Sequence, residues 1–293
     1  MRVIVTGATG FVGAVLTERL KASGHTVIAV SRNPASASER LNGIDAVGWD
    51  GLVGALEEPT DAVVHLAGET VQGRWNTRKI EEVRSSRLQT TARVIEAIES
   101  APHKPAVLVS ASGIGFYGSA KDDELTEVSL PGDDYFARLC VEWEQATFSA
   151  PCRSVAMRFG IVIGPEGGAL DVMKLPAKMG VSGPLAGGKQ WWSWVDIDDA
   201  VGAIMHAISH EAISGPVNVV APQPIRQIDF NRVLCGHLKR PSFMPAPAFA
   251  LRLVLGTFAT EVLSSKRVIP EVLLTSGYEW VRPELADSIA NAL

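Results

Sequence analysis

Short runs of apolar, β-branched residues alternate with amphipathic stretches through the first half of the chain. Residues 3–5 (Val-Ile-Val) are apolar without alternation, as in a strand buried on both faces. Phe11, Val12, Val15, Leu16 and Leu20 then recur at helical spacing, and Gly24 stands where such a helix would end. Further strands are predicted at 26–30, 46–49 (the weakest), 62–66, 106–110 and 154–159. Ile80, Val83, Leu88, Val94, Ile95 and Ile98 mark a long helix closed by Pro102, and 136–148 another. This alternation predicts an α/β fold with a doubly wound parallel sheet and right-handed crossovers. After Pro165 glycine and proline thicken; 198–208 reads as a helix, 217–220 as one more strand, and the tail from 222 as mostly helical. The predicted organisation is a nucleotide-binding domain at 1–165, with 195–221 returning to its sheet. Residues 166–194 and 222–293 form a small, mostly helical C-terminal substrate lobe.

The turn between the first strand and first helix reads Thr6-Gly7-Ala8-Thr9-Gly10-Phe11-Val12-Gly13. In a dinucleotide-binding (Rossmann) sheet the first glycine permits the tight turn. The second lets the backbone approach a pyrophosphate, and the third lets helix and strand pack closely. The helix N-terminus then offers free N–H groups and a positive dipole end to the phosphates. Gly7, Thr9, Gly10, Phe11, Val12 and Gly13 are therefore the candidate cradle. The second strand ends on Ser31-Arg32, where an NAD-selective site would place a carboxylate for the ribose 2′-hydroxyl. An arginine fork suits a 2′-phosphate, so NADP(H) is the expected cofactor.

The sequence has 293 residues, 46% hydrophobic and 20% charged, an ordinary globular composition long enough to bury a core without staples. Net charge is −5 and the cations are scattered, which argues against nucleic acid as the main partner. Cys140, Cys152 and Cys235 are odd in number and widely spaced, so neither a disulfide framework nor a metal site is expected. The late apolar stretch 249–259 carries Arg252 and Gly256 and is shorter than the roughly 20 residues of a membrane span. With no targeting pattern before residue 3, the expected compartment is the cytoplasm.

These motifs, in this order, resemble the extended and atypical short-chain dehydrogenase/reductase superfamily. His65-Leu66-Ala67-Gly68 is similar to its strand-four motif on the adenine–ribose side. Ser110-Ala111-Ser112 falls where the family keeps a catalytic serine. Arg158-Phe159-Gly160 and Gly164-Pro165 resemble the segment passing the nicotinamide, and Val195-Asp196-Ile197-Asp198-Asp199 the stretch re-entering the sheet. The run from Gly188 to Trp194, Asn218 with Ala221-Pro222, and Arg267-Val268-Ile269-Pro270-Glu271 are similar to one subfamily, named for nucleoside-diphosphate-sugar epimerases and also cell-division-inhibitor-like. The resemblance implies that Leu66, Ala67, Gly68, Ser110, Phe159 and Gly160 line the cofactor, together with Ser31, Arg32, Asp50 and Arg87.

The chain departs from the family at its chemical centre. The family needs a tyrosine and, four residues on, a lysine that lowers the tyrosine pKa and holds the nicotinamide ribose. Here Tyr135 is followed at that distance by Leu139; alignment on Glu144 instead puts Phe136 and Cys140 at the two places. The remaining candidates are Ser112 to orient a substrate oxygen, and Tyr117 or Tyr135 to relay a proton. Without the lysine such a tyrosine keeps a pKa near about 10 and is a poor base. Trp191, Trp192 and Trp194 either close the interface between lobes or line a substrate pocket. His65 reads as structural, and the 122–124 acidic run as solvated surface. The resulting expectation is an NADP(H)-dependent oxidoreductase, reductase or epimerase/dehydratase acting on a small carbonyl, hydroxyl or nucleotide-sugar substrate. The alternative is a non-catalytic NADP(H)-binding regulatory protein. The long helices beside the sheet offer a face for a homodimer.

Overall fold

A computed structural model describes residues 1–71 and 73–293. Seven strands, β1 (Arg2–Thr6), β2 (Thr26–Val30), β3 (Asp45–Val47), β4 (Ala62–His65), β5 (Val107–Gly113), β6 (Arg153–Phe159) and β7 (Gly215–Val219), form one sheet. Their order is β7-β6-β5-β4-β1-β2-β3, and every pairing is parallel. The strands are apolar on both sides because helices cover both faces. Val3, Val5, Val64, Val109, Met157 and Val217 pack into one layer; Ile4, Val63 and Leu108 pack into the other.

Four helices position the site: α1 (Phe11–Ala22), α2 (Thr77–Ser100), α3 (Tyr135–Phe148) and α4 (Ile197–Ser209). Asn76 caps α2, accepting from the Lys79 N–H; Asp134 caps α3, accepting from that of Ala137. The strand order reverses between β1 and β4, and it is outside the carboxyl ends of strands at such a switch point that open α/β sheets bind ligands.

The third strand is shorter than its predicted span and displaced by a residue, and α3 begins at Tyr135 rather than 136. Beyond β6, α4 packs beside α1, and β7 forms the edge next to β6. The helix at 197 is capped by Asp196. Asp198 pairs with Arg19 and Arg282, and Asp199 accepts from the N–H groups of Val281 and Arg282, so this acidic turn ties the chain's tail to the sheet. The small lobe has its own core, in which Ile163, Leu170, Phe230, Leu234 and Ile289 surround Trp192 and Trp194.

Candidate active site

The glycine loop has the geometry a phosphate cradle needs. Gly7 sits at φ +70, and a Cβ there would stand 2.6 Å from the Leu66 carbonyl carbon. At Gly13 a Cβ would lie 2.1 Å from the Gly7 oxygen, so this glycine brings α1 against β1. At Gly10 the nearest atom would be the Gly7 oxygen at 3.1 Å; that side faces outward. Gly10 caps α1 without a side chain, and the Phe11 and Val12 N–H groups find no acceptor among the described residues. These free donors, with no acidic residue in the first turn, fit an anion. The Phe11 ring lies under Gly164, Gly167 and Gly168, so Phe11 serves the site through its backbone.

The 66–68 turn lies against this loop. Thr6 accepts the Leu66 N–H at its carbonyl and the Ala67 N–H at its hydroxyl, and Gly68 faces the Arg87 guanidinium. His65 is fully buried between Thr6 and Thr91, at 2.7 and 3.2 Å, and burial lowers its pKa to about 4. It is structural. Arg32 is exposed after β2 and carries no hydrogen bond or ion pair among the described residues. Ser31 Oγ accepts the Asn33 N–H, while Arg40 reaches the Thr9 carbonyl at 3.4 Å. Arg40 brings a second guanidinium to the loop; it belongs to no motif and was invisible in the sequence. Asp50 pairs with Arg93 at 2.8 Å on the exposed side of the β3 turn. Ser110 is fully buried and reaches only the Ala111 carbonyl, so its side chain is not a ligand contact as placed here. Phe159 packs on the core, and a Cβ at Gly160 would strike the Ser193 carbonyl oxygen at 2.6 Å.

The expected proton groups all have hydrogen-bond partners within the protein. Ser112 donates to Glu144 Oε1 at 2.7 Å inside the protein, so its proton is not offered to a substrate carbonyl. Glu144 is held by Arg158 through both oxygens, at 2.8 and 2.7 Å. Tyr117 is 3% exposed; it donates to Asn218 Oδ1 at 2.6 Å and accepts from Arg158 at 2.9 Å. Burial pushes its hydroxyl up to about 12, so it stays protonated. Tyr135 is partly exposed and donates to the Ile80 carbonyl at 3.1 Å; burial raises its pKa too. Trp192 and Trp194 pack in the core around Phe230 and Leu234, 8% and 1% exposed, and Trp194 also borders a small surface hollow with Pro224 and Leu285. Trp191 is the partly exposed member, with its ring under Arg226 at 3.9 Å and its indole N–H on Asp122 at 2.9 Å. The acidic 122–124 run is thereby bound to the small lobe: Asp122 also pairs with Arg226 and Glu124 with Arg267.

Phe136 and Cys140 do face the end of β5. A Cβ at Gly115 would meet Phe136 Cβ at 3.4 Å and Cys140 Sγ at 3.7 Å. Burial pushes the Cys140 thiol up to about 12 and makes it inert. The Arg87 guanidinium stands nearby, donating to the carbonyls of Glu69 and Val83 and lying 5.0 Å from the Trp143 ring centroid. Its field reaches both Cys140 and Tyr135. No group of three or more metal-ligating side chains exists among the described residues. The two described surface hollows, beside Glu18 and Arg40 and beside Trp194 and Pro224, lie off these strand ends.

A Rossmann sheet with this cradle defines a dinucleotide-binding class of protein, and residues 3–220 match the NAD dependent epimerase/dehydratase family. The chain belongs to that family. Residues 246–292 match a domain of unknown function (DUF1731). The chain is 36% identical to the human epimerase family protein SDR39U1, covering 99% of this chain and 98% of that protein. It is likewise 36% identical to the chloroplastic SDR39U1 homolog of Arabidopsis thaliana, over 99% and 86% of the two chains. The crystal structure of human SDR39U1 with NADPH superposes with a TM-score of 0.90, 36% identity and 99% and 98% coverage. A nucleoside-diphosphate sugar epimerase from Corynebacterium glutamicum superposes with a TM-score of 0.80 at 31% identity, over 100% of this chain and 58% of that one.

Proposed function

We propose that this chain binds NADP(H) on the Gly7–Gly13 loop. It acts there as a reductase or epimerase/dehydratase-type enzyme on a small carbonyl or hydroxyl compound or a nucleotide sugar. The observation that carries the cofactor choice is Arg32, exposed at the end of β2 with no ion pair among the described residues, on the same sheet as the α1 N-terminus, whose first N–H groups find no acceptor among them. NADPH in the human relative's structure supports it. When bound, the dinucleotide supplies hydride chemistry at its nicotinamide ring. Arg87 supplies the cation that the family's lysine would have placed near the ribose. Leu66, Ala67 and Gly68 flank the adenine–ribose side with Ser31. Phe159 and Gly160 border the nicotinamide side, where Gly160 lets the chain pass under the Ser193 carbonyl.

The proposed compartment is the cytoplasm, supported by three cysteines without disulfides. No described helix is long and apolar enough to cross a membrane. A homodimer through the outer faces of α2 and α3 belongs to the same proposal, and light scattering after gel filtration reads it. A second reading, a non-catalytic NADP(H)-responsive binding protein, is favoured by the committed hydroxyls of Ser112, Tyr117 and Tyr135. A screen of carbonyl compounds and nucleotide sugars, following NADPH absorbance, separates the two. Turnover supports the enzyme; tight NADPH binding with no turnover supports the binding protein.

A further inference from the structure

One group at the carboxyl end of β5 lacks the partner that Ser112, Tyr117 and Tyr135 each have. Glu261 lies on the short helix Ala259–Leu263 of the small lobe. Its Oε1 pairs with Lys266 Nζ at 2.9 Å. Its Oε2 is buried and accepts no hydrogen bond among the described residues. A buried carboxylate oxygen without a donor has lost its hydration without replacement. Such an acceptor calls for an O–H or N–H donor that the described residues do not supply.

Its position carries the argument further. A Cβ at Gly115 would lie 3.7 Å from Glu261 Oε2, 3.7 Å from Cys140 Sγ and 3.4 Å from Phe136 Cβ. Phe136 and Cys140 hold the places of the tyrosine and lysine in the register that aligns on Glu144; Tyr135 and Leu139 hold them in the other. The orphan carboxylate oxygen therefore stands beside the vacated dyad, brought there by the lobe rather than by α3. Lys266 is 3% exposed and also donates to Ser264 Oγ, so the ammonium is fixed and in turn fixes the carboxylate.

We propose that Glu261, oriented by Lys266, is a catalytic residue whose Oε2 takes the proton of a substrate hydroxyl. In that step the substrate O–H bond breaks, its electron pair stays on the substrate oxygen, and an O–H bond forms on Oε2. The reverse step returns the proton to an oxyanion. The inference rests on the enzyme reading above and names its missing base.

NADP⁺ and NADPH are matched probes, because the oxidised nicotinamide ring carries a positive charge and the reduced ring none. Each is titrated into wild type, Glu261→Gln, Lys266→Met and the double variant, with thermal melts alongside. Glu261→Gln is expected to weaken NADP⁺ relative to NADPH by about threefold to tenfold, and Lys266→Met to shift the ratio the other way. The double variant leaves no uncompensated buried charge and keeps the test alive if a single variant fails to fold. It should shift the ratio in the direction of Glu261→Gln. With a substrate from the screen, Glu261→Gln should lower kcat about a hundredfold with KM little changed. A wild-type ratio in the folded double variant, or an unchanged kcat in Glu261→Gln, overturns the assignment and leaves NADP(H) binding standing. Wild-type protein that binds neither dinucleotide overturns the proposed function itself.

Discussion

Glu144 and Arg158 form a two-pronged ion pair in the interior, with side chains 5% and 3% exposed. Arg158 is the register partner of Ser112 on β5 and of Asn218 on β7, so three strands line up one polar row, which Ser112 and Arg158 join to α3. The row is bonded through Glu144 and Tyr117, which engages the Ser112 and Tyr117 hydroxyls inside the protein. Glu144→Gln leaves a buried guanidinium with reduced compensation and should cost about 3–5 kcal/mol. Ser112→Ala removes one hydrogen bond to a charged acceptor and should cost about 1.5–3 kcal/mol, with NADPH affinity kept. Urea unfolding and fluorescence titration read both; loss of NADPH binding in a folded Ser112→Ala protein would return Ser112 to the ligand.

Acid should unfold the protein partly through His65. Its folded pKa is lowered from 6.5 to about 4 by burial, so the folded state binds its proton less readily than the unfolded state. The stability this provides is present above pH 6.5 and is lost as pH falls from 6.5 towards 4. It amounts to about 3 kcal/mol across that window. Unfolding free energies at several pH values in this range should show the slope in wild type and lack it in a folded His65→Asn variant.

The two outer glycines of the cradle and the middle one should fail differently. Gly13→Val puts a branched side chain where a Cβ alone lies 2.1 Å from the Gly7 oxygen, so the α1–β1 packing should break and the protein should melt early or not fold. Gly10→Val faces outward, with its nearest contact at 3.1 Å, and should fold but not bind the dinucleotide. Circular dichroism with NADPH titration reads the pair. A Gly10→Val protein that binds with wild-type affinity would place the cofactor elsewhere.

The sheet was legible because buried parallel strands are continuous apolar runs, and because the glycine spacing has a steric cause at Gly7 and Gly13. The site was less so. Spacing places Ser112 at the end of β5 but does not reveal that Glu144, 32 residues on, accepts its hydrogen bond. Tyr117 and Asn218 are 101 residues apart and meet only through the packing of β7 beside β6. Arg40, Glu261 and Lys266 sit in no motif, and their roles depend on how a helix or lobe docks. The tryptophan run was read as either pocket or interface; burial puts Trp192 and Trp194 in the core and leaves Trp191 at the lobe's edge.

The central claim is that Arg32 selects a 2′-phosphorylated dinucleotide on the glycine loop. It is tested most directly by titrating NADPH and NADH into wild type and Arg32→Ala. The account predicts tighter binding of NADPH by wild type and loss of about 1.5–3 kcal/mol of that preference in the variant, with NADH affinity nearly unchanged. Equal affinities for NADPH and NADH in the wild-type protein would contradict it.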